Sequence, residues 1–155
     1  MAASYTLKLE KYMSNTNFQT IAVKTAISLA NHTITSDSIK DAWEECSGKE
    51  NDGPALTSFK TLAQNGCIKN VQAGIYIRKN PNPKVNDANQ QRTMALYAKI
   101  KSNNHQWPYE NKNGREIDDI VIWNQISQEL NISTVKQTKG AVAVMRGLLE
   151  SGLLI

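Results

Sequence analysis

Apolar side chains recur every three or four residues through three successive segments in the first half of the chain. This spacing puts them on one side of an α-helix, so each segment predicts a helix with one buried face. Residues suited to capping precede the segments, and asparagine or glycine, which favour helix ends, follow them. The predicted helices cover residues 17–31, from Ser36 or Asp37 to Ser47, and Pro54 to about Asn65.

Two short apolar runs follow the third helix, CIKNV and GIYIRK, on either side of Gln72-Ala73-Gly74. Short runs flanking a turn predict a β-hairpin. Three helices and a hairpin in this order, with L-x-x-x-G-x-I at the end of the third helix, resemble the winged-helix variety of helix-turn-helix domains. The resemblance covers residues 17–79 and implies that the third helix enters the major groove of DNA and that the hairpin is its wing.

The second half of the chain repeats the order of three helices. Residues 80–86 contain two prolines and predict an extended linker or the tip of the wing region. Helices are then expected over 89–102, from Asp118 or Asp119 to about Leu130, and from Ser133 or Thr134 to about Ser151.

FKTLAQNGCI (59–68) aligns without gaps on MRGLLESGLL (145–154), with the leucine and glycine in register. The match favours a duplication. We therefore predict a mainly α fold with small β-hairpin wings (α+β), as tandem winged-helix units over 1–86 and 87–155, the second with at most one wing strand.

Candidate DNA contacts follow from the winged-helix resemblance, which places the exposed side of the third helix and the wing on the duplex. Hydroxyl, amide and cationic side chains suit this role, although any solvated helix face has a similar composition. The implied contacts are Thr57, Ser58, Lys60, Thr61 and Gln64 on the helix, and Arg78, Lys79 and Lys84 after the wing.

The last helix predicts a different surface. The alignment leaves Arg146 as its main candidate DNA contact, and Lys136 and Lys139 are expected at the helix start, where phosphate binds favourably. Small residues leave a shallow groove that another helix can approach closely, from the first unit or from a second chain. The residues of this predicted protein interface are Ala143, Val144 and Gly147.

Composition and motifs favour a binding protein over an enzyme. The net charge is +4, and the first 86 residues have ten basic against seven acidic residues. His32 and His105 lie far apart, and nucleotide and hydrolase signatures are absent, so we predict no catalytic residues, metal or cofactor. The N-terminus lacks a signal peptide and no run is apolar enough to span a membrane, which predicts a soluble protein of the cytoplasm or nucleoid.

The leading hypothesis is a non-enzymatic protein that binds double-stranded DNA, such as a transcription or replication regulator, through the third helix and wing of the first unit. The alternative is a protein-protein adaptor in which winged-helix units act as docking surfaces, with a protein partner or a second copy on the last helix. A third possibility is an enzyme or nuclease accessory that uses scattered carboxylates.

Overall fold

The computed structural model describes residues 18–30, 35–48, 53–72, 88–109 and 116–155. Within these ranges the chain forms six helices, three in each half of the sequence. Their bounds are α1 Phe18–Leu29, α2 Ser36–Ser47, α3 Gly53–Gln64, α4 Ala88–Ser102, α5 Asp119–Glu129 and α6 Ala141–Glu150. None of these helices is long and apolar enough to cross a membrane.

The helix ends show why local sequence predicts most of these boundaries. At the start of α2 the Thr35 hydroxyl accepts a hydrogen bond from the Ser38 amide, and the Ser38 hydroxyl accepts one from the Thr35 amide, which forms a capping box. At its end Gly48 has φ of 73°, a left-handed conformation that glycine adopts without a steric penalty. The predicted positions of the first five helices are confirmed to within one or two residues.

The two halves share one hydrophobic core. α1 packs mainly against α2 and α6, α4 packs mainly against α3, and α3 packs against α6. The first helix of each half therefore lies on the third helix of the other half. Aromatic residues of both halves are fully buried in the same cluster. They are Trp43 and Phe59, whose ring centroids are 5.6 Å apart, and Trp123. The predicted boundary at 86 lies outside the described residues.

The segments after α3 and α6 meet at the centre of this arrangement. Ile68 and Leu154 form an antiparallel β-bridge, the Lys69 amide donates to the Leu153 carbonyl at 2.7 Å, and the Ile155 amide donates to the Cys67 carbonyl at 2.9 Å. Ile68 and Leu154 are the residues that the internal alignment pairs. Contact between equivalent residues is what a two-fold relation between two copies produces, so the geometry supports a duplication.

The predicted β-hairpin wings are wrong, because the described residues are helical and contain no strand. Over 67–71, where the first wing strand was expected, only Ile68 makes a bridge. Asn70 then adopts φ of 64°, and the Val71 amide donates back to the Ile68 carbonyl in a turn. The expected second strand, 74–79, lies outside the described residues. Ile68 instead pairs with the far end of the chain, so the fold is not the predicted α+β winged helix.

The start of the last helix was also predicted wrongly. α6 begins at Ala141, and residues 131–140 form an irregular segment instead of the first two turns expected from Ser133 or Thr134. The Asn124 side chain donates to the Val135 carbonyl at 2.9 Å and accepts from the Val135 amide at 2.8 Å. This pair of hydrogen bonds holds Val135 beside α5 and occupies the backbone groups that a helix would use.

Candidate functional site

α3, the predicted recognition helix, is mostly a packing helix. Ser58 is fully buried, and its hydroxyl shares a 2.8 Å hydrogen bond with the Thr93 hydroxyl of α4. Thr61 is also buried and donates to the Thr57 carbonyl at 2.7 Å. The structure therefore separates the five predicted residues of this helix. Two of them face the core, and the three that remain partly exposed are Thr57, Lys60 and Gln64.

Lys60 lies in a region of mixed charge. Partial burial is the main cause that lowers the pKa of its amine, with a further contribution from Lys40, while Asp37 and Glu44 act in the opposite direction. Lys40 and Glu44 form an ion pair at 3.7 Å on α2. Because carboxylates lie close to both amines, this side of the molecule offers little net attraction for a phosphate.

Arg146, the predicted DNA contact of α6, is used inside the fold. Its guanidinium lies 3.1 Å from the Glu116 carboxylate and 3.3 Å from that of Asp119, and it stacks 4.5 Å from the centroid of Trp107. Burial raises the pKa of Asp119, and the charge of Arg146 opposes that rise. The same two effects act on the pKa of Glu150. Arg146 therefore neutralises a group of carboxylates, and Trp107, whose place the sequence does not indicate, covers it.

Gly147 of α6 lies against α1. Ala143 and Val144 are buried, and a Cβ atom added to Gly147 would lie 2.7 Å from the Gln19 Cα atom. Of the two partners that the sequence leaves open for this surface, the structure shows contact with the first half of the chain. The close approach is possible because glycine has no side chain at this crossing.

Lys136 and Lys139 have different surroundings from the other predicted cations. Both are exposed on the irregular segment 131–140, and neither forms an ion pair with any described residue. Because α6 begins at Ala141, Lys136 lies before the helix start, whereas Lys139 directly precedes the N-cap residue Gly140. A sequence signal for this surface does exist: between Glu129 and Glu150 there are three cations and no carboxylate.

α5 runs beside this segment, and the Asn124 hydrogen bonds to Val135 connect the two. The outward side of α5 carries the exposed amides Gln125 and Gln128, beside the apolar side chains of Ile120 and Val121. Sequence reasoning missed these amides because it placed DNA contacts on third helices. We name this surface the amide-lysine face and define it by Asn124, Gln125, Gln128, Lys136 and Lys139.

Arg92 secures the irregular segment from the inside. It is 3% exposed, and its guanidinium donates to the Ser127 hydroxyl at 2.7 Å, the Asn89 carboxamide at 2.8 Å and the Ser133 carbonyl at 2.6 Å. All three acceptors are uncharged. Burying a cation among neutral acceptors costs free energy of folding. Removing its side chain costs more, because the acceptors then lose their hydrogen-bond donors.

We expect Arg92→Met to lower the free energy of unfolding by about 2–4 kcal/mol, because the buried Ser127 hydroxyl and the partly buried Asn89 side chain lose their donor. Urea denaturation followed by circular dichroism measures this change. Lys99→Met is the matched control. It removes a cation whose 2.8 Å pair with Glu129 is solvent-exposed and contributes at most about 1 kcal/mol. Equal stability of the two variants would contradict the role given to Arg92.

The remaining predicted contacts, Arg78, Lys79 and Lys84, lie outside the described residues, as does His32. His105 is exposed after α4. Within the described ranges no group of three or more histidine, cysteine, aspartate or glutamate side chains could hold a metal ion. Comparison of the chain with family models, with curated proteins and with solved structures found no match.

Proposed function

We propose that this chain is a non-enzymatic protein that binds double-stranded DNA through the amide-lysine face. The observation that carries the proposal is the exposure of Lys136 and Lys139, neither of which is paired with a carboxylate of the described residues. Unpaired surface lysines attract the phosphate backbone and release its counterions, which is the main source of sequence-independent affinity for DNA. The neighbouring amides add donors and acceptors for phosphate, sugar or base.

This face suits DNA better than the third helix of the first unit. Ser58 and Thr61 of α3 point into the core, and Lys60 has two acidic residues near it. In the second half Arg146 is paired with carboxylates. The expected partner is therefore still double-stranded DNA, but its contact lies on α5 and the irregular segment instead of α3.

The test is binding of a fluorescently labelled random-sequence duplex, followed by anisotropy over a range of salt concentrations. We expect the double variant Lys136→Ala/Lys139→Ala to bind roughly tenfold more weakly at low salt. The slope of log affinity against log salt should fall by roughly 2, because each lysine lost removes about one phosphate contact. Both side chains are exposed, so circular dichroism should show an unchanged helix content.

Lys40→Ala/Lys60→Ala is the matched control, since it removes the same net charge from the mixed-charge surface of α2 and α3. We expect it to retain affinity and salt slope close to those of the unchanged protein. Equal losses in the two double variants would show a diffuse charge effect and contradict the assignment to the amide-lysine face. Absence of binding at low salt would contradict the DNA proposal itself.

The alternative function, a protein-protein adaptor, rests on exposed apolar side chains. Ile27 on α1 and Val121 on α5 are 52% and 53% exposed, and such residues occur at docking surfaces. The adaptor surface expected from the sequence is less available, because α1 already lies against Gly147. No binding to DNA at low salt, together with a partner whose binding is lost in Val121→Asp, would favour the adaptor.

A further inference from the structure

We propose that α5 lies in the major groove and reads A·T base pairs, with Gln125 and Gln128 bonded to adenine and Val121 against a thymine methyl group. This inference rests on the proposed function and adds to it the element that enters the groove and the base pair that it recognises. It departs from the winged-helix arrangement, in which a third helix has that role.

The three side chains form one exposed row. Positions 121, 125 and 128 follow the spacing of four and three residues that keeps side chains on the same side of a helix. Val121 is 53% exposed, and both glutamines are exposed, with no hydrogen bond from either side chain to any described residue. Their donors and acceptors are therefore available to a ligand. Of the six helices in the described ranges, α5 is the one that exposes two amides.

Three of the other helices, α2, α3 and α6, are poorer candidates for the groove. The buried residues of α3 and α6 are spread around both helices, since each packs between neighbours at the centre of the fold. α2 has a free outer side, but that side carries three exposed carboxylates, which repel phosphate. They are Asp37, Asp41 and Glu45.

The charges around α5 indicate how the helix would be oriented. Asn124 and Val135, the residue before Lys136, lie along one edge of the row. Helical geometry puts Asp118 and Glu129 on the other edge, where Glu129 is neutralised by Lys99 at 2.8 Å. A helix in the major groove has a phosphate backbone on each side. The edge of α5 next to Lys136 would therefore contact one phosphate backbone of the duplex, and the row would face the bases.

The chemistry of the row selects A·T over G·C. A glutamine amide can donate to adenine N7 and accept from the adenine N6 amino group at once, and an aliphatic side chain packs on the thymine methyl group. Guanine is most often recognised by arginine or lysine, and the row contains neither. Val121, the exposed apolar side chain at the start of the row, is the one that would contact a thymine methyl group.

The experiment compares three duplexes of equal length in competition anisotropy with the full chain: mixed A·T sequence, mixed G·C sequence, and the A·T sequence with 7-deazaadenine. The last lacks the N7 acceptor in the major groove and leaves the minor groove unchanged. We expect the A·T duplex to bind roughly tenfold more tightly than the G·C duplex, within the range for one or two bidentate base contacts. The 7-deazaadenine duplex should lose most of this preference.

Gln125→Ala/Gln128→Ala should abolish the A·T preference and leave the salt slope unchanged, because phosphate contacts remain. Gln91→Ala/Gln106→Ala, which removes two exposed amides elsewhere, should keep the preference. A preference that is absent, or that survives 7-deazaadenine or loss of the two glutamines, overturns the inference while salt-dependent binding through Lys136 and Lys139 stands. Absence of binding to all three duplexes overturns both proposals.

Discussion

Gly147→Leu is expected to lower the free energy of unfolding by about 3 kcal/mol, at the upper end of the usual cost of overpacking a core. The Cβ atom of any side chain here would lie 2.7 Å from the Gln19 Cα atom and 2.8 Å from its carbonyl oxygen. These are backbone atoms of α1, so a rotamer change cannot relieve the contact and the two helices must separate. Urea denaturation of both proteins, followed by circular dichroism, gives the difference.

Gly147→Ala tests the contact with α1 through the sign of the change in the free energy of unfolding. Inside a helix, alanine is favoured over glycine by roughly 1 kcal/mol, so a glycine without close neighbours would gain stability from this change. We expect a loss, because the contact with Gln19 outweighs the gain in helix propensity. Ala98→Leu, at an exposed position of α4, is the control for added bulk and should have little effect. A Gly147→Leu protein as stable as that control would contradict the close approach of α1.

The same variant shows why the structure changes the interpretation of an interface experiment. From the sequence, Gly147→Leu is a test of a docking surface for a partner. In the structure the glycine faces α1, so loss of partner binding in Gly147→Leu would report damage to the fold. Val121, which is exposed, provides a test of a docking surface that does not disturb the core.

Helix positions were predictable because their causes are local. The Thr35 cap, the left-handed Gly48 and the apolar spacing of each segment are all properties of a few consecutive residues. The start of α6 was not predictable in this way. It depends on Asn124, eleven positions before the Val135 backbone that it holds, and no periodic pattern records such a contact.

The candidate site failed to follow from the sequence for a related reason. Ser58 and Thr61 have side chains that suit a solvated helix face, but a small hydroxyl can be buried when it finds a partner, and α4 supplies Thr93 to Ser58. That partner belongs to the other half of the chain. The prediction that this side of α3 is exposed assumed that each unit is a separate domain, and it was wrong because α4 of the other half covers that side.

The internal alignment carried information that the winged-helix resemblance did not. It paired Ile68 with Leu154, and these residues form the β-bridge at the centre of the structure. In a winged helix the chain after the third helix turns back on itself in a hairpin, whereas here each copy completes that pairing with the other. The wing prediction was therefore wrong: within the described residues the segment after α3 forms no strand and makes a single bridge, to the other copy.

Because the first helix of each half packs on the third helix of the other half, neither half should fold alone. We expect fragments 1–86 and 87–155 each to lack a stable fold when produced alone, and to recover helix content when mixed. In isolation, α1 loses α6 and α4 loses α3, which are major packing partners, and each half exposes the apolar side of its third helix to water. Circular dichroism of the separate and mixed fragments measures the gain, and analytical ultracentrifugation gives the stoichiometry.

Reassembly should require the close contact between α1 and α6. A fragment 87–155 carrying Gly147→Leu is therefore expected to gain little helix when mixed with fragment 1–86, while the same fragment carrying the exposed substitution Ala98→Leu should reassemble normally. If either half folds alone with cooperative unfolding, the chain consists of two autonomous units and the shared core is a docking contact between them. If the halves fold only together, the duplication produced one domain, and the DNA-binding surface proposed for α5 depends on both halves for its stability.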